Sequence, residues 1–148
     1  MVIARGMPSR SSTALLARLS ERFKLGLVSN YPCGQSVRDS LARNGLAEFF
    51  DAIVVSADVG HVKPHPRPFK TALDQLGVTP QRALYVGDNW FGDVQGAKRL
   101  GMQAVHTTQY DTPEKFDRQP NDHDADLTIA RLDELPQHLQ RSTNERRM

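Results

Sequence analysis

Cysteine is nearly missing from this sequence. Cys33 stands alone among 148 residues, which excludes an internal disulfide and a cysteine-built zinc cage and fits a reducing, cytoplasmic setting. No apolar run approaches the ~20 residues that a membrane-spanning helix needs, and the first residues lack the apolar centre of a signal peptide. There is no excess of one charge: Lys plus Arg total 19 against 17 for Asp plus Glu, and a formal charge of +2 argues against nucleic acid or a membrane surface as partner. The glycines at 87, 92, 96 and 101 do not reproduce the dinucleotide fingerprint, which argues against a nicotinamide cofactor. No aspartate occurs before Asp39, and there is no internal repeat or low-complexity block.

What is present is an alternation of short apolar runs with amphipathic stretches. Runs at 24–28, 51–56, 83–86 and 103–107 read as strands, with a short edge strand at 127–130. Between them, 14–19, 37–44, 69–76 and 94–100 read as helices, and a closing helix starts at Leu132. The segment 63–68, with three prolines, reads as a turn, and the polar segment 111–126 as a surface loop. This pattern predicts an α/β fold: a Rossmann-like parallel sheet with helices on both faces. A chain of this length buries roughly two-thirds of its unfolded surface. We expect a single domain over 1–140, followed by a frayed tail over 141–148, which has no apolar period.

The densest chemistry lies in Gly87-Asp88-Asn89-Trp90-Phe91-Gly92-Asp93. Asp88 emerges at the carboxyl end of a buried strand, where open α/β sheets place their ligands. Asp93 follows across a turn that Gly92 can bend, so the two carboxylates can converge on one hard cation. The competing reading of Asp93 is a plain helix N-cap. Ser29 and Asn30 follow another strand, where hydroxyl and backbone N–H can hold a phosphoryl oxygen or simply form a turn. Lys63, flanked by Pro64, is either a directed cation or a solvated loop residue. In a parallel sheet all carboxyl ends share one rim, so these groups form a single candidate site.

Taken in order and spacing, Leu27-Val28-Ser29-Asn30, Val62-Lys63-Pro64-His65-Pro66 and the segment 87–97 resemble the second, third and fourth motifs of the haloacid dehalogenase-like (HAD) hydrolase superfamily. The resemblance runs from about residue 14 to 139, and the fourth motif is its most specific part. It implies that Ser29 and Asn30 bind substrate, with Ser29 bonded to the transferring phosphoryl group. Lys63 would neutralise that group, and Asp88 and Asp93 would position Mg²⁺. The Gly-Asp pair resembles the phosphatase branch, implying a small phosphorylated metabolite as substrate. Only 33 residues separate Ser29 from Lys63, too few for the cap domain that some members insert there.

The sequence departs from that family at its beginning. Members open on an apolar strand ending in Asp-x-Asp, whose first aspartate attacks phosphorus; here residues 1–7 offer a short apolar run and no carboxylate. The usual cap between the first two motifs is also missing. Without an attacking carboxylate the covalent route lacks its first step, which implies a weak or inactive chain on its own. Three readings stay open: a phosphatase working with a missing piece, a non-catalytic binding module, and a truncated gene product. Loss of the first strand would leave two inner sheet edges unpaired. We expect residues 2–4, or a strand from another polypeptide or a second copy, to fill that gap. Cys33 as substitute nucleophile and His61 with His65 as a zinc pair both lack supporting spacing.

Overall fold

The computed structural model describes residues 2–3, 10–110 and 125–145. It contains a six-stranded, all-parallel sheet in the order β3-β2-β1-β4-β5-β6. The strands are β1 (Val2–Ile3), β2 (Gly26–Ser29), β3 (Ala52–Val55), β4 (Leu84–Gly87), β5 (Gln103–Thr107) and β6 (Leu127–Ile129). The helices are α1 (Arg10–Ser20), α2 (Gly34–Arg43), α3 (Ser56–Val59), α4 (Pro66–Leu76), α5 (Gly96–Arg99) and α6 (Leu135–Glu145).

Strand neighbours in sequence point to opposite faces, and the core divides accordingly. Tyr85 and Ala104 join Val28, Ala52, Val54, Phe69, Leu73 and Leu76 beneath α4. Val86 and Val105, one residue on, join Leu15, Leu16, Leu19, Ile129 and Leu135 beneath α1 and α6. Burying a side chain such as Phe69, 1% exposed, contributes about 1.5–3 kcal/mol. Both faces are therefore covered, as an all-parallel sheet requires.

The expected gap in mid-sheet is filled. Val2 and Ile3 pair with Gly26 and Leu27 on one side and with Tyr85 and Val86 on the other. The first strand is thus present, not missing, because the facing edges of β2 and β4 carry backbone groups that need partners. Ala4 lies outside the described residues. Strand order reverses at β1, so the carboxyl ends of β2 and β4 flank the switch point where such sheets open a crevice.

Three other expectations are corrected. Helix α4 starts at Pro66, inside the expected turn, since the N–H groups that prolines lack have no intrahelical partner in a first turn. The expected helix at 94–100 is α-helical only over α5, Gly96–Arg99, and is preceded by a π-helical turn, Trp90–Gln95. Its cause is Asn89, whose carbonyl accepts from both Asp93 (2.8 Å) and Val94 (3.3 Å) while its side chain accepts from the Gly92 N–H (2.6 Å). Finally, α6 continues to Glu145, so the first part of the expected tail is helical. Leu135 and Leu139, one turn apart, anchor that helix to the core. Residues 146–148, and 111–124 of the expected loop, lie outside the described residues.

Candidate active site

Lys63 arrives from the loop between α3 and α4, where the Lys63–Pro64 peptide bond is cis. Its side chain is 6% exposed and turns inward, under the ends of β2 and β4. The ammonium donates to the Asp93 Oδ1 (2.6 Å), the Tyr85 hydroxyl (3.0 Å) and the Val28 carbonyl (3.1 Å). Those are all three donors an ammonium has.

Asp93, 2% exposed, is held from several sides. Besides Lys63, its Oδ1 accepts from the Tyr85 hydroxyl at 3.3 Å, and its Oδ2 accepts from the Asn89 N–H at 3.1 Å. Room for it comes from Gly87: a Cβ there would lie 2.5 Å from Asp93 Oδ2 and 2.6 Å from Cγ. Tyr85 and Gly87 are two apart on one strand and so share a face, one supplying a hydroxyl and the other space. Burial, and then the negative charge of Asp93, push the Tyr85 phenol well above its ordinary pKa, so it stays a neutral donor.

Asn30 clamps the loop after β2 to the loop bearing Lys63. Its Oδ1 accepts from the Lys63 N–H (2.8 Å) and its Nδ2 donates to the Lys63 carbonyl (3.2 Å). Both ends of the amide are therefore spent on Lys63 backbone, which positions the lysine. Ser29 ends β2, half-buried, and its hydroxyl makes no hydrogen bond to a described residue. Asp88 follows β4 directly and is 6% exposed. Trp90 packs edge-on against His106, ring centroids 5.6 Å apart, with its buried indole N–H unpartnered among the described residues.

The groups singled out by sequence thus sort into two sets. Lys63, Asp93 and the Asn30 amide form one bonded network; Ser29 and Asp88 stand at the ends of β2 and β4 on either side of β1. Tyr85 and Asn89 were missed. A phenol two residues before a glycine in an otherwise aliphatic strand, and an Asn three residues before Gly92, were the available signals. Cys33 is exposed just ahead of α2, its thiol drawn below the usual value by hydrogen bonding with Ser36. His61 and His65 stack with centroids 3.9 Å apart, and His65 Nδ1 accepts from the Arg67 N–H at the start of α4. Among the described residues no group of three or more His, Cys, Asp or Glu side chains is placed to hold a metal.

The sequence profile of the family described as haloacid dehalogenase-like hydrolase matches residues 8–107. A glyceraldehyde 3-phosphate phosphatase of Methanothermobacter thermautotrophicus is 36% identical over 105 residues, covering 70% of this chain and 45% of that protein. A pyrophosphatase, PpaX, of Bacillus cereus is 44% identical over 83 residues, covering 56% of this chain and 38% of that protein. The crystal structure of a HAD phosphatase from Thermococcus onnurineus superimposes with a TM-score of 0.75 at 36% identity, over 88% of this chain and 57% of that one. This chain spans less than half the length of these two curated relatives. With the profile covering well over half of its residues, and with Ser29 and Asp88 at the ends of β2 and β4, the chain belongs to the haloacid dehalogenase-like hydrolase family.

Proposed function

We propose that this rim is the phosphoryl and Mg²⁺ site of a phosphatase-type hydrolase acting on a small phosphorylated metabolite. The observation that carries the reading is the buried Lys63–Asp93 pair, whose ammonium reaches the Val28 carbonyl, one residue before Ser29, and the Tyr85 hydroxyl of β4. Names of relatives support the substrate class: glyceraldehyde 3-phosphate phosphatase, pyrophosphatase and, in Thermus thermophilus, phosphoserine phosphatase all denote enzymes that act on phosphorylated compounds.

The donor set fits Mg²⁺. This ion keeps several waters and takes one or two carboxylates plus phosphate oxygens, so two acidic residues suffice without a larger cluster. Asp88 would hold it directly. Asp93, with both oxygens already accepting protein hydrogen bonds, would contribute through its remaining lone pairs or a water. When bound, the cation neutralises phosphoryl charge. The Ser29 hydroxyl, unbonded among the described residues, orients a phosphoryl oxygen, and Asn30 keeps the Lys63 backbone in place.

The competing reading is a non-catalytic binding module. It is favoured by one specific fact: no aspartate precedes Asp39 among these 148 residues, so the attacking aspartate of the family pattern is not among them. Thermal unfolding separates site from no site. Ligand at a hundred times its Kd stabilises by about 2.7 kcal/mol, a rise of roughly 5–10 °C for a domain of this size. Mg²⁺ with phosphate should produce that rise, Asp88→Asn should abolish the Mg²⁺ response, and Asp74→Asn on the exposed side of α4 should not. An Asp88→Asn protein responding like wild type would remove the assignment. Hydrolysis of an aryl phosphate by this chain then decides between enzyme and module.

A further inference from the structure

The Lys63 ammonium has no donor left for an incoming phosphoryl oxygen. Its three N–H groups are spent on Asp93, Tyr85 and Val28, all within the protein. A phosphoryl group that bonds to Lys63 must therefore displace one of them. The contact with Asp93 is the shortest at 2.6 Å and joins two buried charges, so releasing it leaves an unpaired carboxylate. Releasing the Val28 carbonyl uncovers a backbone acceptor in a residue 0% exposed. Releasing Tyr85 costs least, because its hydroxyl is a neutral acceptor and keeps a partner of its own in Asp93 at 3.3 Å.

We propose that Tyr85 is a displaceable stand-in for the phosphoryl oxygen: its hydroxyl satisfies Lys63 in the empty site and gives up that donor when an anion enters. The inference rests on the proposed role of Lys63 in phosphoryl binding. Tyr85 is a positioning residue here. It holds the ammonium aimed and solvated inside the fold, and its ring stays packed against Phe69, centroids 5.0 Å apart, in both arrangements. The same hydroxyl competes with the ligand. Exchanging one hydrogen bond from the ammonium to a neutral acceptor is taken as about 1 kcal/mol, or about fivefold in affinity.

Tyr85→Phe isolates the effect, since it removes the hydroxyl and keeps the ring. Isothermal titration of the full chain with inorganic phosphate in saturating Mg²⁺ is the test. The variant should melt at a lower temperature than wild type, because a buried donor loses its acceptor, yet bind phosphate about fivefold more tightly. A merely structural tyrosine would lower both. In a Lys63→Met background, adding Tyr85→Phe should bring no gain. Phosphate binding that depends on Lys63 but is unchanged or weakened by Tyr85→Phe overturns this inference alone. No phosphate binding in any of the four proteins overturns the underlying site as well. Wild-type protein supplies a second measurement should the variant not fold: the Lys63 side-chain ¹⁵N resonance and the Tyr85 ring resonances should shift together as phosphate is added, and a Tyr85 that does not respond contradicts the exchange.

Discussion

Removing one member of the Lys63–Asp93 pair should cost far more than removing both. The two groups are 6% and 2% exposed and 2.6 Å apart. At an effective dielectric of 20 their attraction is about 6 kcal/mol, which is largely offset by a desolvation penalty of several kcal/mol for each ion. The pair is thus close to neutral as a unit. Lys63→Met leaves a buried carboxylate held by two donors, the Tyr85 hydroxyl and the Asn89 N–H, and Asp93→Asn leaves a buried ammonium without its counter-ion. Each single change should cost about 3–5 kcal/mol. With a urea m value of about 2 kcal/mol/M, that is a fall of roughly 2 M in unfolding midpoint. The double variant should cost no more than the worse single one, a coupling of about 3 kcal/mol or more. Single costs that add within ~0.5 kcal/mol would refute the reasoning, because they would mean the two charges do not depend on each other.

Other predictions turn on the same close packing. Gly87→Ala places a methyl group against the Asp93 carboxylate, 2.5 Å from Oδ2, where neither strand nor network can yield, and should destabilise by about 1–3 kcal/mol and abolish the Mg²⁺ response. Gly34→Ala has a comparable nominal overlap, 2.6 Å from an Arg38 guanidinium nitrogen, but meets the ends of the exposed Arg38–Asp58 pair, which can swing aside; urea unfolding should detect less than about 1 kcal/mol. Asp126 gives a pH signature. Partial desolvation raises its pKa, but hydrogen bonds from Lys98 and the Ala104 N–H outweigh that and hold it below the ordinary 3.8. A carboxylate with a lowered native pKa stabilises above its unfolded pKa and loses that contribution as pH falls through 3.8 to the native value. Wild type should therefore weaken more steeply than Asp126→Asn in acid, and parallel slopes would contradict the role given to Asp126.

Much of this fold was written in hydrophobic pattern. The strand at 103–107 was read to the residue, and the other runs lie within two residues of their observed bounds, because a sheet buried on both faces demands continuous apolar segments. What escaped the reading was set by groups far apart in sequence. Val2–Ile3 is too short to announce a strand by its own pattern; it was expected as one of the ways to fill the gap between β2 and β4, and it pairs with both. The π-turn depends on the local hydrogen bonds of Asn89, which no periodicity records. In the candidate site, strand ends and motif spacing singled out Lys63, Asp88 and Asp93, of which the structure bonds Lys63 to Asp93. They could not show that Lys63 turns inward to Tyr85, or that Asn30 spends its amide on the Lys63 backbone, since both follow from loop approach across the sheet end.

A crystal structure of the full chain soaked with Mg²⁺ and inorganic phosphate would show where the two ligands sit. We expect a cation on Asp88 and, beside it, an anion bonded to Ser29 and Lys63, with the Tyr85 hydroxyl drawn back toward Asp93. An anion bound away from the ends of β2 and β4, or a Lys63 ammonium unmoved with Ser29 and Asp88 empty at saturating ligand, would contradict this expectation.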